Sequence, residues 1–80
     1  MSVKEHIVDV KGKACPQPIM ETMRAVRLAA PGELITVLAT DVGFYNDIKA
    51  WCAKTGNELV KLEKRIDVYV AVIKKKEILK

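Results

Sequence analysis

"HIVDVKGKACPQPIM", residues 6–20, is the stretch whose reading decides the fold. It opens as a strand: in His6-Ile7-Val8-Asp9-Val10 the residues Val8 and Val10 face one side. Lys11-Gly12-Lys13-Ala14 is the turn out of that strand, and beyond Cys15 the chain reads as a helix from Pro16 to about Ala30. Ile19, Met23, Val26 and Ala30 recur at helical spacing, with Met20 beside them. Glu21, Arg24 and Arg27 lie off that stripe, so the helix is amphipathic and packs on something. Pro31-Gly32 stops it.

Outward from this unit the alternation continues. Leu34 to Ala39 is an apolar run broken only by Thr36, as an interior strand requires. Asp41 to Thr55 gives a second helix, with Phe44, Ile48, Trp51 and Thr55 on one stripe and Gly56-Asn57 as its C-terminal stop. Val60 and Leu62 alternate with Lys61 and Glu63 in a third strand. Lys64 to Asp67 then turns into a fourth, Val68 to Ile73. The order β-α-β-α-β-β contains no repeat or linker. It predicts one domain over residues 1–80, an α/β two-layer sandwich with a mixed four-stranded sheet and both helices on one face. Lys74-Lys75-Lys76 and the residues after them, 74–80, read as a solvated, frayed basic tail.

Composition limits the function classes. Eighty residues leave room for one small domain, and 50% hydrophobic content suits a folded core. The net charge of +4, from 14 Lys and Arg against 10 Asp and Glu, is compatible with RNA or an acidic protein surface and compels neither. The start of the chain shows no secretory pattern, and its apolar runs are far too short for a membrane span. A soluble cytoplasmic protein is therefore expected. In that compartment Cys15 and Cys52 are expected as reduced thiols, and one histidine with no C-x-x-C pair gives no support for a zinc site.

The chemistry concentrates at Cys15. Proline is well tolerated in a first helical turn, where N–H groups have no intrahelical acceptor. With Pro16 as the first helical residue, Cys15 takes the N-cap position, and Pro18 leaves the Gln17 N–H among the few free to face the sulfur. The helix dipole then lowers a thiol pKa near 8.5 by about a few tenths to one and a half units. Lys11 and Lys13, turned inward, would add to that effect. The expectation is a reactive, exposed thiolate on a rigid mount, set against the plainer reading of cysteine as a small buried hydrophobe.

The pattern Asp9-x-x-Gly12-x-x-Cys15-Pro16-x-Pro18 at the end of a first strand resembles the TusA/SirA family of sulfur carriers. Length, element order, and the later Asp41, Asp47-Ile48, Trp51 and Gly56 extend the resemblance over the whole chain. It implies that Cys15 carries sulfur as a persulfide or thiosulfonate. Pro16 and Pro18 would hold its mount, with Gln17 between them, and Asp9 and Gly12 would shape the preceding turn. It further implies a shuttle without a cofactor, rather than a stand-alone catalyst. The donor would be a cysteine desulfurase or rhodanese-like protein, and the acceptor a DsrE-like or similar protein. The relays it implies serve tRNA thiolation, molybdenum cofactor synthesis or reduced-sulfur metabolism.

Other residues have plainer readings. Cys52 borders the apolar stripe of the second helix as a half-buried core residue, or else as a second thiol that resolves Cys15 if the sulfurs come within disulfide reach. His6 reads as a strand-end surface residue, Asp41 as a cap or first-turn anion, and Asp47 and Lys49 as solvent-facing. Asp9 is expected to bond within its turn. No heptad or long exposed apolar stripe argues for a homodimer, so a monomer is expected. Two alternative functions stand beside the carrier: an RNA-binding or regulatory module without catalysis, and a thiol redox protein using Cys15 with Cys52.

Overall fold

The computed structural model describes residues 5–76. Six elements follow one another: β1 (Glu5–Val10), α1 (Gln17–Leu28), β2 (Leu34–Ala39), α2 (Phe44–Thr55), β3 (Glu58–Lys64) and β4 (Tyr69–Lys74). The strands form one mixed sheet in the order β1-β2-β4-β3, with β1 parallel to β2 and the other two pairings antiparallel. This is the β-α-β-α-β-β two-layer arrangement that the alternation of strand and helix patterns predicts.

The core lies between the sheet and the two helices. Along β2 every second residue, Ile35, Val37 and Ala39, is buried, and each lies beside its β4 partner Ile73, Ala71 or Tyr69. Val10, Val26, Ala29, Phe44, Ile48 and Cys52 complete the cluster. Full burial of side chains such as Phe44 and Ile48 stabilises by about 1.5–3 kcal/mol each. The opposite sheet face is more open, and Ile7 on it remains 72% exposed.

On α1 only part of the expected stripe meets the core: Val26 is buried and Ile19 packs against it. Pro18, Thr22 and Val26 are its buried residues, with Ala29 just beyond them, whereas Met20 and Met23 are exposed and Ala30 lies outside the helix. Thr22 can occupy the core because its hydroxyl donates to the Pro18 carbonyl at 2.8 Å, so no polar atom is left unpaired. On β3 the expected Val60/Leu62 alternation fails. The register shifts between Leu59 and Lys61, so Leu59 and Leu62 pair opposite the core residues Ile73 and Ala71 while Val60 is exposed. A bulge on an edge strand bends it and discourages pairing with another chain.

Gly56 ends α2 at φ +82°, the left-handed C-cap that its position after Thr55 predicts. The expected basic tail is corrected over its first part. Lys74 belongs to β4, the Lys75 N–H donates to the Glu33 carbonyl, and the Lys75 ammonium donates to the Arg27 and Ala29 carbonyls at the end of α1. The Lys76 N–H donates to Asn57 Oδ1 at 2.9 Å. The positive side chain of Lys75 thus satisfies carbonyls that the helix leaves unpaired, where the dipole favours a cation. Residues 77–80 of the expected tail lie outside the described residues.

Candidate functional site

Parallel pairing of β1 and β2 brings the loops that follow them to the same end of the sheet. The first loop begins with a tight turn, closed by the Lys13 N–H to the Val10 carbonyl at 3.1 Å. Gly12 sits in it at φ +83°, a conformation that side-chain-bearing residues rarely adopt. Asp9 Oδ1 accepts the Lys11 N–H at 3.0 Å, and the Lys11 ammonium lies 3.9 Å from Asp9 Oδ2. The Gly12 N–H crosses to Thr40 Oγ1 at 2.8 Å and ties this loop to the one after β2.

Cys15 stands at the far end of the first loop, exposed, with a free thiol. It is not the N-cap of α1. Pro16 holds that position, joined to Cys15 through a cis peptide, and its carbonyl accepts the Met20 N–H, so the helix begins at Gln17. The Gln17 N–H does not face the sulfur either, because it donates to the Ala14 carbonyl at 3.0 Å and closes a turn around Cys15. Pro18 is buried beneath the first turn of α1, while Pro16 and Gln17 are exposed. Lys13 is exposed on the same loop.

The partner that the sulfur does meet comes from α2. The Cys15 thiol donates to Asp47 Oδ2 at 3.7 Å, a long contact of the kind sulfur makes. Asp47 lies in the first turn of α2, whose N-cap is Gly43. Asp41, expected as a helix cap, makes no side-chain cap bond, and only its carbonyl accepts the Phe44 N–H. Its carboxylate is directed over Gly43: a Cβ placed there would lie 3.1 Å from Asp41 Oδ2 and 3.7 Å from Asp47 Oδ2. Two carboxylates therefore converge beside the thiol.

This overturns the expected electrostatics. The Cys15 pKa is raised rather than lowered, by lost hydration against the neighbouring loops, then by the charge of Asp47, its hydrogen bond to the thiol, and the charge of Asp41. Cys15 is itself exposed, so the carboxylates are what distinguish this sulfur from an ordinary surface thiol. A bond that accepts the thiol proton favours the neutral form, and a nearby anion opposes a second negative charge. The free protein thus presents an accessible thiol whose neutral form the neighbouring carboxylates favour.

Cys52 sits in a different environment from Cys15. It is 3% exposed on the inner face of α2, fully rather than half buried, and burial pushes its thiol up to about 11. The two cysteines are not joined. His6 at the other end of β1 bonds Glu33 Oε1 at 2.8 Å, and Glu33 also accepts the Ala30 N–H at 2.9 Å, so this pair fastens the α1–β2 connection far from the thiol. Among the described residues no group of His, Cys, Asp and Glu could hold a metal ion, and no helix is long and apolar enough to cross a membrane.

Local reading missed Asp47 and Asp41 because their meeting with Cys15 spans 32 positions in the case of Asp47. The available signal was topological. Two neighbouring parallel strands must release their following loops side by side, and the first turn of α2 lies just beyond the second of those loops.

Comparison with known proteins agrees with this architecture. The family model described as sulfurtransferase TusA matches residues 6–75. The sulfur carrier protein TusA of Pseudomonas aeruginosa is 40% identical over 72 residues, covering 90% of this chain and 91% of its own. A relative from Archaeoglobus fulgidus is 38% identical over 69 residues, covering 86% of this chain and 94% of its own. The crystal structure of a SirA-like protein from Desulfitobacterium hafniense superposes with a TM-score of 0.75 at 25% identity, covering 89% of this chain and 97% of that one. A match that runs from the first strand to just past the last, with relatives of similar length, means that the chain belongs to the TusA sulfurtransferase family.

Proposed function

We propose that the protein is a cytoplasmic, monomeric sulfur carrier that holds sulfane sulfur on Cys15 as a persulfide or thiosulfonate and passes it between partner proteins. The observation that carries this reading is an exposed free thiol on a short loop, braced by Gly12 and Thr40 on one side and by α1 on the other.

The transfer balances simply. The Cys15 thiolate attacks the outer sulfur of a donor persulfide; the new S–S bond forms as the donor's breaks, and the electron pair leaves on the donor cysteine, which takes up a proton from water. Cys15 then carries the outer sulfur. An acceptor thiolate repeats the exchange, with Cys15 as the leaving group. The donor is a cysteine desulfurase or rhodanese-like protein and the acceptor a DsrE-like or similar protein, in a relay for tRNA thiolation, molybdenum cofactor synthesis or reduced-sulfur metabolism. Asp9, Gly12, Pro16, Gln17 and Pro18 shape and hold the mount.

Intact-protein mass spectrometry tests this. The chain is incubated with a cysteine desulfurase and cysteine, or separately with thiosulfate or tetrathionate, as wild type, Cys15→Ser and Cys52→Ser. Added sulfur or thiosulfonate that disappears only in Cys15→Ser is the expected result. No adduct on a reduced, free Cys15 from any donor overturns it. Salt-dependent RNA binding that survives Cys15→Ser would then favour a non-catalytic RNA-binding module. Loss of activity in Cys52→Ser together with a Cys15–Cys52 disulfide would favour a redox protein.

A further inference from the structure

We propose that Asp47, supported by Asp41, gates Cys15: its carboxylate holds the proton on the thiol in the free carrier, and a cationic side chain on the docked partner engages that carboxylate and releases the thiolate. The proposal rests on the carrier reading of Cys15 and adds to it the chemistry of the partner surface. A lysine, arginine or charged histidine beside the partner's own cysteine is the complement this site demands.

The geometry supports each part. Asp47 Oδ2 accepts from the thiol at 3.7 Å, so the carboxylate sits where the proton leaves and where an incoming sulfur must pass. Asp41 Oδ2 and Asp47 Oδ2 both flank Gly43, so one cation could meet both carboxylates. The charges acting on Cys15 come from α2 and the loop before it. On the β1–α1 loop, Lys11 is turned toward Asp9, and Lys13 is exposed. Asp41 and Asp47 are thus a negative pair beside the sulfur on a chain whose net charge is +4. Charge of this sign repels anionic small thiols and anionic persulfides, which would otherwise strip or load the carrier outside a relay. When a partner cation engages Asp47, the like charge that opposed the thiolate is neutralised. The proton then passes to water, and the sulfur exchange proceeds with the same bonds made and broken as above.

The test reads the thiol directly. Alkylation of Cys15 by neutral iodoacetamide is followed against pH by peptide mapping of the full reduced chain, for wild type, Asp47→Asn and Asp47→Glu. Rates at fixed pH and low salt are then compared for a cationic reagent, 2-aminoethyl methanethiosulfonate, and an anionic one, 2-sulfonatoethyl methanethiosulfonate. Asp47→Asn should move the midpoint of the alkylation profile to lower pH, because the carboxylate that accepts the thiol proton is gone. The wild type should prefer the cationic reagent several-fold, approaching about tenfold at low ionic strength, and this preference should collapse in Asp47→Asn and return in Asp47→Glu. Loading from the protein donor that charges the wild type should fall several-fold in Asp47→Asn, although its thiol is the more reactive one. A folded Asp47→Asn chain with unchanged midpoint, unchanged reagent preference or unchanged loading from that donor overturns the gate. The reagents need no sulfur donor, so the gate can fail while Cys15 still carries sulfur, whereas a failure of the carrier reading shows separately, as no adduct on Cys15 from any donor.

Discussion

Cys52 makes alkaline stability a test of the core. Its side chain is 3% exposed among Ile48, Ile73 and the rest of the apolar cluster, and burial pushes its thiol from an ordinary 9.0 up to about 11. The folded chain therefore surrenders this proton less readily than the unfolded chain does. The stability it contributes is fully present below about pH 9, and it is lost as pH rises from there through about 11, where the folded form ionises too. The displacement from 9.0 to about 11 corresponds to about 2–3 kcal/mol. A domain of this size has a total stability of about 4–12 kcal/mol, so the loss is large enough to measure. The comparison is between wild type and Cys52→Ala, each unfolded in urea with reductant and followed by circular dichroism at steps from about pH 8 to 11.5. Lysines and tyrosines titrate in both proteins and cancel in the difference. Wild type should lose about 2–3 kcal/mol more than Cys52→Ala across that range. Parallel curves would refute the reasoning, because they would mean that the Cys52 proton leaves the folded and unfolded chains equally easily.

Phe44→Ala removes a ring that is 1% exposed at the start of α2 and should cost about 3–5 kcal/mol in urea unfolding; a cost below about 1 kcal/mol would mean the core closes around the gap. Gly12→Ala places a Cβ with nothing within 4 Å, so its cost of about 1–3 kcal/mol should come from the backbone at φ +83° alone, readable as a lowered urea midpoint with an unchanged slope.

The layer order was legible because strands and helices alternate and end at clear stops. Pro31-Gly32 and Gly56 left little freedom in where the helices finish, and the apolar run of β2 marked it as interior. The face of α1 was harder. Thr22 and Pro18 look unsuited to a core until one sees that the threonine hydroxyl bonds the proline carbonyl one turn back. Val60 misled because the alternation that strand reading relies on is interrupted by a bulge, and a bulge is set by the partner strand. At the candidate site, the exposure of the Cys15 thiol agrees with the reading of its own neighbours. Its electrostatics do not, because the charges that govern the sulfur arrive from another helix. Reading the prolines in isolation assigned Cys15 to the mouth of α1, whereas one residue of displacement left the sulfur facing Asp47 of α2.

The sheet order has a consequence for how the molecule comes into being. β4 comes last in sequence among the strands of the described residues, yet it occupies the slot between β2 and β3. A nascent chain that has not yet released residues 69–74 can pair β1 with β2, but β2 then presents an open edge and β3 has no neighbour. Only the β3–β4 hairpin is local; the β2–β4 pairing closes across the whole of α2 and β3, a long loop that must be brought together before its contacts form. Completion of the sheet therefore waits on the final strand. The thiol loop lies early in the chain, yet its scaffold is finished only once β4 has paired with β2.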